Sequence, residues 1–375
     1  MIPLSNKFSK ISGKHQNQIL AENNSESIFV YGTGSVGNDV WKLLNAKGFA
    51  LKGFMDHRGT QSNLVGTNIY LPQDERISKE ERKNSSVIIA IHNRDANISL
   101  ILENLRALKY RGIITLIDLY DRFPSELGER YWLTSRDFYS RFPDSIRSAH
   151  DLLADQTSRD IYNRLIQFRL SGDYSLLPQP DLEHQYFPAD IPAWKTPLRL
   201  VDCGAFDGDT LKNFITANIS IEAVAAFEPD LINFRKLSQF VKENQNHLPH
   251  TSLWPCGVFS STTQLHFATG RGESSNITNA GESTLQCISL DEAISTFTPN
   301  LIKMDIEGAE VEALRGAQYI LQEARPGLAI SVYHRPEHLW EIPLLIERLM
   351  RGSYQYYLRS HGFNDFDIVL YAIPV

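Results

Sequence analysis

Apolar runs and segments of helical period alternate through the first third of the chain. Residues 28–31 are apolar, 36–47 carry apolar residues at helical spacing, and 50–55 are apolar again. After a polar loop the alternation repeats, with a strand at 87–92, a helix at 98–109 and a strand at 113–117. Strand-helix-strand alternation of this kind predicts a parallel sheet with helices on both faces.

From about Ser125 to Thr196 the pattern changes. Ile161, Leu165 and Phe168 recur at helical spacing, strands are absent, and prolines at 178, 180, 188 and 192 mark the stretch 177–197. This reads as a helical linker that also covers a substrate pocket. Strands resume at 198–203 and 224–227, with a helix at 211–217 between them. Further strands are expected at 252–259, 265–268, 301–304, 327–333, 354–360 and 366–373. Only five residues, HGFND, separate the last two, so they form an antiparallel hairpin that makes the sheet mixed. The expected layout is a polar tail (1–24), a nucleotide-fold domain (25–122), a helical linker (123–196) and a second α/β domain (197–375).

A chain of 375 residues exceeds one ordinary core and agrees with two domains or three. The net charge of -7 argues against a general binder of nucleic acid or acidic membranes, which neutralises phosphates with clustered Lys and Arg. Lys79–Lys83, reading KEERK, is a mixed-charge solvated helix face. Three scattered cysteines, Cys203, Cys256 and Cys287, support neither a disulfide framework nor a zinc cluster. There is no apolar leader and no run long enough to span a bilayer, so no membrane insertion is expected and a cytoplasmic location is the default. His15, His92, His247 and His250 show no ligand spacing and read as surface or loop residues.

Two strand-to-helix turns are rich in glycine. The first is Gly32-Thr33-Gly34-Ser35-Val36-Gly37, a GxGxxG loop followed about twenty residues later by Asp56 at a strand end. Gly32, Gly34 and Gly37 would let a pyrophosphate approach a helix N-terminus, and Asp56 would take ribose hydroxyls. The bland reading is equally open: the glycines serve helix-strand packing and Asp56 caps a turn. The second turn, Asp202-Cys203-Gly204-Ala205-Phe206-Asp207-Gly208-Asp209, is acidic, and Glu228 follows at the end of the next strand. Its three carboxylates would repel a pyrophosphate. A ligand with an ammonium, a sulfonium and no phosphate fits better, which points to S-adenosylmethionine, with Glu228 on the ribose. Helix capping explains one of these acids but not the whole set.

A third motif, Leu301-Ile-Lys-Met-Asp305-Ile-Glu307-Gly-Ala-Glu310, runs from a buried strand into a helix. Asp305 and Glu307 stand at a strand C-terminus, where ligands bind in open α/β sheets, and burying them there carries a desolvation cost. They could hold a divalent metal, but two carboxylates without a histidine cluster are a thin ligand set, so no metal is expected.

VDCGAFDGDT, AFEPD and LIKMDIEGAEVEALRGA, in this order and spacing, resemble the signature of FkbM-type methyltransferases. LAISVYHRPEHLWEIP, YLRSH and the closing VLYAIP resemble a subgroup of that family. The resemblance covers about residues 150 to 375, and IFVYGTGSVG resembles the N-terminal domain of some members. It implies methylation of hydroxyl oxygens on natural products, sugars or lipid-linked glycans. It also implies that Asp202, Gly204, Ala205, Asp207, Gly208 and Glu228 hold the cofactor and that Asp305 sits between cofactor and acceptor. The fold class expected is α/β, with two Rossmann-like domains joined by a helical linker. The C-terminal one is a class I methyltransferase sheet, parallel with a terminal antiparallel hairpin.

Methyl transfer from a sulfonium needs alignment, and a hydroxyl acceptor must also lose a proton. His334, at the end of LAISVYH, is the first candidate base because its ordinary pKa lies near neutrality. Its alternative role is a hydrogen bond within the HRPEH turn. Asp305 is the other candidate base, with Glu307 beside it. Lys303 and Tyr333 alternate along their strands and are expected to point away from the cleft. The competing functions are an NAD(P)-dependent oxidoreductase or epimerase acting through the GxGxxG domain, and a non-catalytic nucleotide-binding protein. The first lacks a Tyr-x-x-x-Lys pair in 25–120, and both glycine loops keep the acids a degenerate site would lose. The expected partner is a small-molecule or glycan acceptor. A second nucleotide in the N-terminal domain and a homo-oligomer are left open.

Overall fold

Five strands, β1 (Ser27–Tyr31), β2 (Leu51–Met55), β3 (Ile69–Tyr70), β4 (Ser85–Ile89) and β5 (Gly112–Ile114), form an all-parallel sheet in the order β3-β2-β1-β4-β5. The computed structural model describes residues 27–57, 66–267 and 283–375. The expected tail at 1–24, with His15, and the last residue of the strand expected at 265–268 lie outside them. Phe29, Val30, Val87 and Ile88 are buried without alternation, as befits central strands covered on both faces. The helix Ser35–Ala46 buries Gly37, Val40 and Leu44, and Ile98–Ala107 buries Ile98, Leu102 and Leu105, each a single stripe at helical spacing.

One expectation fails here. The strand at 113–117 stops at Ile114, and Leu116–Arg122 is a helix. Thr115 N and Oγ1 both donate to Asp118 Oδ2 at 2.8 Å, which starts the helix and overrides the β-branched run.

The chain divides into two units. The first comprises Met1–Pro143, Asn163–Gln179 and Gly362–Phe366; the second comprises Asp144–Tyr162, Pro180–His361 and Asp367–Val375. Within the first, Arg169 and Asp365 form a fully buried ion pair (Nε to Oδ2, 2.6 Å), with the guanidinium over the rings of Trp132 and Tyr139. A buried arginine is tolerable only with its charge matched in this way.

The second unit holds β6 (Leu198–Cys203), β7 (Ile221–Phe227), β8 (His250–Trp254), β9 (Gly257–Val258), β10 (Thr263–Phe267), β11 (Ser283–Ile288), β12 (Leu301–Met304), β13 (Gly327–Ser331), β14 (Tyr354–Ser360) and β15 (Ile368–Pro374). Seven of them form one sheet in the order β14-β15-β13-β12-β6-β7-β8. All its pairings are parallel except those of β15, which runs antiparallel to both β13 and β14. This is the class I methyltransferase sheet that the resemblance implies. The strand expected at 252–259 is instead two, β8 and β9, in different sheets. Pro255 lies between them and has no N–H to continue a ladder. The short β3 and the mostly polar β11 were not expected as strands. The order reverses at β6, whose neighbours are β7 and β12, so a crevice opens at its C-terminal end.

Candidate functional site

The floor of that crevice is a buried ion pair. Register places Lys303 of β12 opposite Asp202 of β6. Lys303 Nζ lies 3.0 Å from Asp202 Oδ1 and donates to the Gly204 carbonyl at 2.6 Å. Lys303 therefore points toward the glycine loop, not away from the cleft as strand alternation suggested. Burial pushes Asp202 up to about 6 despite the ammonium. Burial also opposes the charge on Lys303, but Asp202, Asp305 and Asp209 outweigh it and hold the amine above its usual range. Asp202 Oδ2 is buried and accepts no hydrogen bond from the described residues. A bare buried carboxylate oxygen is costly unless a donor arrives.

Above the floor, Gly204 N and Ala205 N donate to the Phe227 carbonyl at 2.9 and 3.0 Å. Gly204 has φ +77°, and a Cβ there would stand 2.0 Å from the Asp305 carbonyl oxygen, so only glycine fits. Gly208, with φ +94°, lies against Phe240 for the same reason. Glu228 accepts from Phe206 N at 2.9 Å and Asp230 N at 2.8 Å, which ties the first loop to the second. Burial raises Glu228 to about 7, against those two backbone donors. Asp207 is half-buried and Asp209 exposed. The N-cap of the helix Asp209–Thr216 is Gly208, and Asp209 is the acid of its first turn, accepting from Thr210 N at 2.8 Å. Three large apolar side chains stand in solvent beside Glu228: Phe206 (47% exposed), Leu231 (60%) and Ile232 (65%). Trp254 stacks on Phe227 with ring centroids 5.6 Å apart, and its buried Nε1 meets no acceptor among the described residues.

On the other side of β6, β12 and β13 deliver a second cluster. Asp305 follows β12 and His334 follows β13. His334 Nε2 lies 3.3 Å from Asp305 Oδ1 and 3.9 Å from Glu307 Oε2, while Nδ1 lies 2.7 Å from Glu310 Oε1. Glu310, fully buried, also receives Ile306 N at 2.9 Å and has His338 Nδ1 at 3.3 Å from its other oxygen. Burial works against charge on both partners, yet Glu310 and then Glu307 and Asp305 raise His334 to about 10, and the two histidines lower Glu310 to about 2. His334 is thus an imidazolium at neutral pH. The expectation of a base with a near-neutral pKa is corrected by the three carboxylates around it. The side chains of Asp305 and Glu307 are 26% and 46% exposed, so both meet solvent. Tyr186 Oη donates to Asp305 Oδ2 at 3.0 Å. Tyr333, expected to point away from the cleft, is buried with its ring 4.2 Å from that of His334.

Residues 202–364 match the family model described as the Methyltransferase FkbM domain. The chain carries a methyltransferase FkbM domain. A solved structure of Methyltransferase FkbM from Methylobacillus flagellatus superposes with a TM-score of 0.78 at 21% identity, covering 96% of this chain and 94% of that one. A putative rRNA-methylase from Clostridium thermocellum matches at a TM-score of 0.30 and 9% identity, over 47% of this chain and 84% of that chain. Fibrillarin from Aeropyrum pernix, in complex with natively bound S-adenosyl-L-methionine, also gives 0.30, at 13% identity over 48% and 67%. The last two are too distant to carry an argument. No curated protein sequence matches.

Asp202 is the first residue of the matched FkbM domain, and Glu228, Asp305, Glu307, Glu310 and His334 all fall inside it. Tyr186 lies upstream of it. Glu310 was visible as the third acid of DIEGAE but carried no sign of its two histidines. Tyr186 sits in a proline-dotted stretch with no motif around it.

The first unit's glycine loop is built differently. Gly32, with φ +114°, has no room for a Cβ beside the Ala90 carbonyl (2.8 Å), and a Cβ on Gly37 would lie 2.0 Å from the Gly32 carbonyl oxygen. Gly34 has open space around it. Asp56, buried, accepts from Thr33 Oγ1 at 2.7 Å, so the candidate ribose acid is engaged by the loop's own hydroxyl. His92, expected at the surface, is packed among the rings of Tyr131, Trp132 and Phe366, and burial together with Arg130 pushes it down to about 3. His247 and His250 are exposed as expected. Among the described residues no group of three His, Cys, Asp or Glu side chains is arranged to hold a metal ion, and no helix is long and apolar enough to cross a membrane.

Proposed function

We propose that the FkbM domain methylates a hydroxyl oxygen of a sugar, glycan or natural-product acceptor, with S-adenosylmethionine as donor. The observation that carries the donor assignment is the buried, unengaged Asp202 Oδ2 at the glycine loop, which suits an α-ammonium. Glu228 suits the ribose diol, since each of its oxygens keeps a lone pair beyond its backbone donor. Phe206, Leu231 and Ile232 would be covered by the adenine, and Trp254 Nε1 offers a hydrogen bond nearby. When bound, S-adenosylmethionine supplies a methyl group on a sulfonium that departs as a neutral thioether.

Asp305 accepts the proton that the acceptor hydroxyl gives up as its new C–O bond forms. His334, as imidazolium, steadies the Asp305 carboxylate, and Glu310 fixes the imidazole through Nδ1. Glu307, beside His334 and 46% exposed, would face a neighbouring hydroxyl of the acceptor. Alignment of the reacting atoms can supply about 7–11 kcal/mol and a positioned base about 10²–10⁴-fold in rate.

The test is calorimetric titration of S-adenosylhomocysteine and, separately, NAD into the full chain. Micromolar binding of S-adenosylhomocysteine is expected; binding of NAD alone sinks the reading. The pH-rate profile, read as S-adenosylhomocysteine release over a panel of hydroxyl acceptors, then separates the two bases. With Asp305 as base and imidazolium at His334, the rate falls as pH climbs through about 10. A rate that keeps rising toward that pH would return the role of base to His334.

A further inference from the structure

Residues 180–197 precede the matched FkbM domain yet belong to the unit that holds its residues 202–361. They carry Tyr186, whose φ of +73° lies in the left-handed region that tyrosine rarely adopts. Such a backbone persists only where its surroundings over-determine it. Tyr186 N donates to Tyr371 Oη at 3.1 Å, and Tyr371 Oη in turn lies 2.8 Å from His361 Nε2. Trp194 Nε1 donates to the Tyr186 carbonyl, and the Trp194 ring fills the space a Cβ would need on Gly327, the first residue of β13. Backbone and strap are thus fastened to the sheet on both sides of the residue.

What this fastening delivers is one hydroxyl. Tyr186 Oη reaches Asp305 Oδ2, while Asp305 Oδ1 faces His334. We infer that Tyr186 is a positioning residue that fixes the Asp305 carboxylate for proton transfer, so that the catalytic unit begins upstream of residue 202. The inference rests on the role given to Asp305 above. Burial raises the Tyr186 phenol well above its ordinary range, as do Asp305 and the neighbouring carboxylates, so the hydroxyl remains a donor across the working pH range. Core filling alone would need only the ring, which phenylalanine supplies equally. The hydroxyl is the specific element.

The test reads His334, because its Nε2 reports where Asp305 points. Its surroundings also include Glu310 at Nδ1, Glu307, the Tyr333 ring and, through Glu310, His338. The imidazole of His334 would be titrated by NMR in histidine-labelled full-length protein, as wild type, Tyr186→Phe, Asp305→Asn and the double variant. With the hydroxyl gone, Asp305 can turn from His334. The Tyr186→Phe midpoint is then expected to drop by about one unit, a tenfold change in proton affinity. In the Asp305→Asn background the same change should add nothing. An unchanged midpoint in folded Tyr186→Phe, or an equal drop in the Asp305→Asn background, overturns the inference. If Tyr186→Phe does not fold, Trp194→Phe removes the bond to the Tyr186 carbonyl and trims the ring beside Gly327 and Tyr371; a lowered midpoint in the folded variant supports the inference and an unmoved one overturns it. S-adenosylhomocysteine affinity by calorimetry should stay within about twofold in Tyr186→Phe, well below the tenfold per 1.4 kcal/mol that a lost contact would give. Failure of the wild type to bind it would strike the cofactor reading instead, leaving the titration legible.

Discussion

The two glycine loops share one construction and differ in what their acids are doing. In each, the first glycine N–H donates to the carbonyl just before the acid: Gly32 to Met55 O at 2.8 Å, Gly204 to Phe227 O at 2.9 Å. In each, a glycine Cβ would strike a carbonyl oxygen at 2.0 Å, from Gly37 to Gly32 and from Gly204 to Asp305. The glycines therefore report close packing of strand, turn and helix in both places. The acids separate the loops. Asp56 is held by Thr33 Oγ1, whereas Asp202 keeps a buried oxygen with no hydrogen-bond donor among the described residues, and Glu228 is raised to about 7. A polar group satisfied by its own loop is explained; one left bare calls for a ligand.

The largest effect that would break this contrast comes from exchanging the acids for alanine. Asp202→Ala leaves Lys303 buried without its carboxylate, and removing one partner of such a pair costs about 3–5 kcal/mol. Denaturant unfolding should show that loss, together with loss of S-adenosylhomocysteine binding. Asp56→Ala removes the hydrogen bond from Thr33, worth about 1 kcal/mol, together with the contact to His57, and should leave that binding untouched. Equal losses in the two variants would mean that both acids are merely structural.

Catalysis comes next. Asp305→Asn should lower methyl transfer by about 10²–10⁴-fold while calorimetry finds S-adenosylhomocysteine affinity little changed. A parallel fall in affinity would move Asp305 from the acceptor side of the crevice to the cofactor side.

Glu228 gives a smaller effect with a definite sign. Its folded pKa, about 7, lies above the usual 4.5, so the ligand-free protein loses its contribution to stability as pH rises from 4.5 through 7. A ribose diol donates to the ionised form. S-adenosylhomocysteine should therefore bind more weakly as pH falls below about 7, by up to tenfold per unit. Glu228→Gln should flatten that dependence and weaken binding at pH 8 by about 10–100-fold, the value of a charged hydrogen bond. A profile flat from pH 5 to 8 in the wild type would remove Glu228 from the ribose.

Much of this was legible beforehand, for reasons tied to particular residues. Central strands such as 198–203 and 301–304 are mostly apolar and buried, and the HGFND turn forces the final hairpin, so the mixed sheet could be read directly. Asp202, Glu228 and Asp305 stood out as candidates because acids at strand ends are out of place unless something uses them. Lys303 was misjudged: alternation predicts which face a residue takes, but a long side chain on a central strand can still turn along it to the loop at its end. His334 stood out from its strand end, but the ordinary pKa of histidine was no guide to it, because the neighbouring Glu310 belongs to a helix whose approach leaves no local pattern. Tyr186 was beyond reach, since a contact across 119 residues from an irregular segment leaves no local pattern.

The smallest expected effect sharpens the contrast most, because it lies within one loop. Gly37→Ala drives a Cβ onto the Gly32 carbonyl and should destabilise by about 1–3 kcal/mol, as overpacking of tight sites does. Gly34→Ala meets nothing within 4 Å, and at φ −77° its backbone suits alanine. It gains about 0.4–1 kcal/mol from a less flexible unfolded chain. It also gives up a preferred N-cap residue, at a cost of about 0.5–1 kcal/mol. The two nearly cancel, so thermal unfolding should hardly move. A neutral Gly34→Ala would mean that the fold does not require the middle glycine of the GxGxxG pattern. A loss as large as that of Gly37→Ala would assign all three glycines to packing and close the nucleotide reading of this loop.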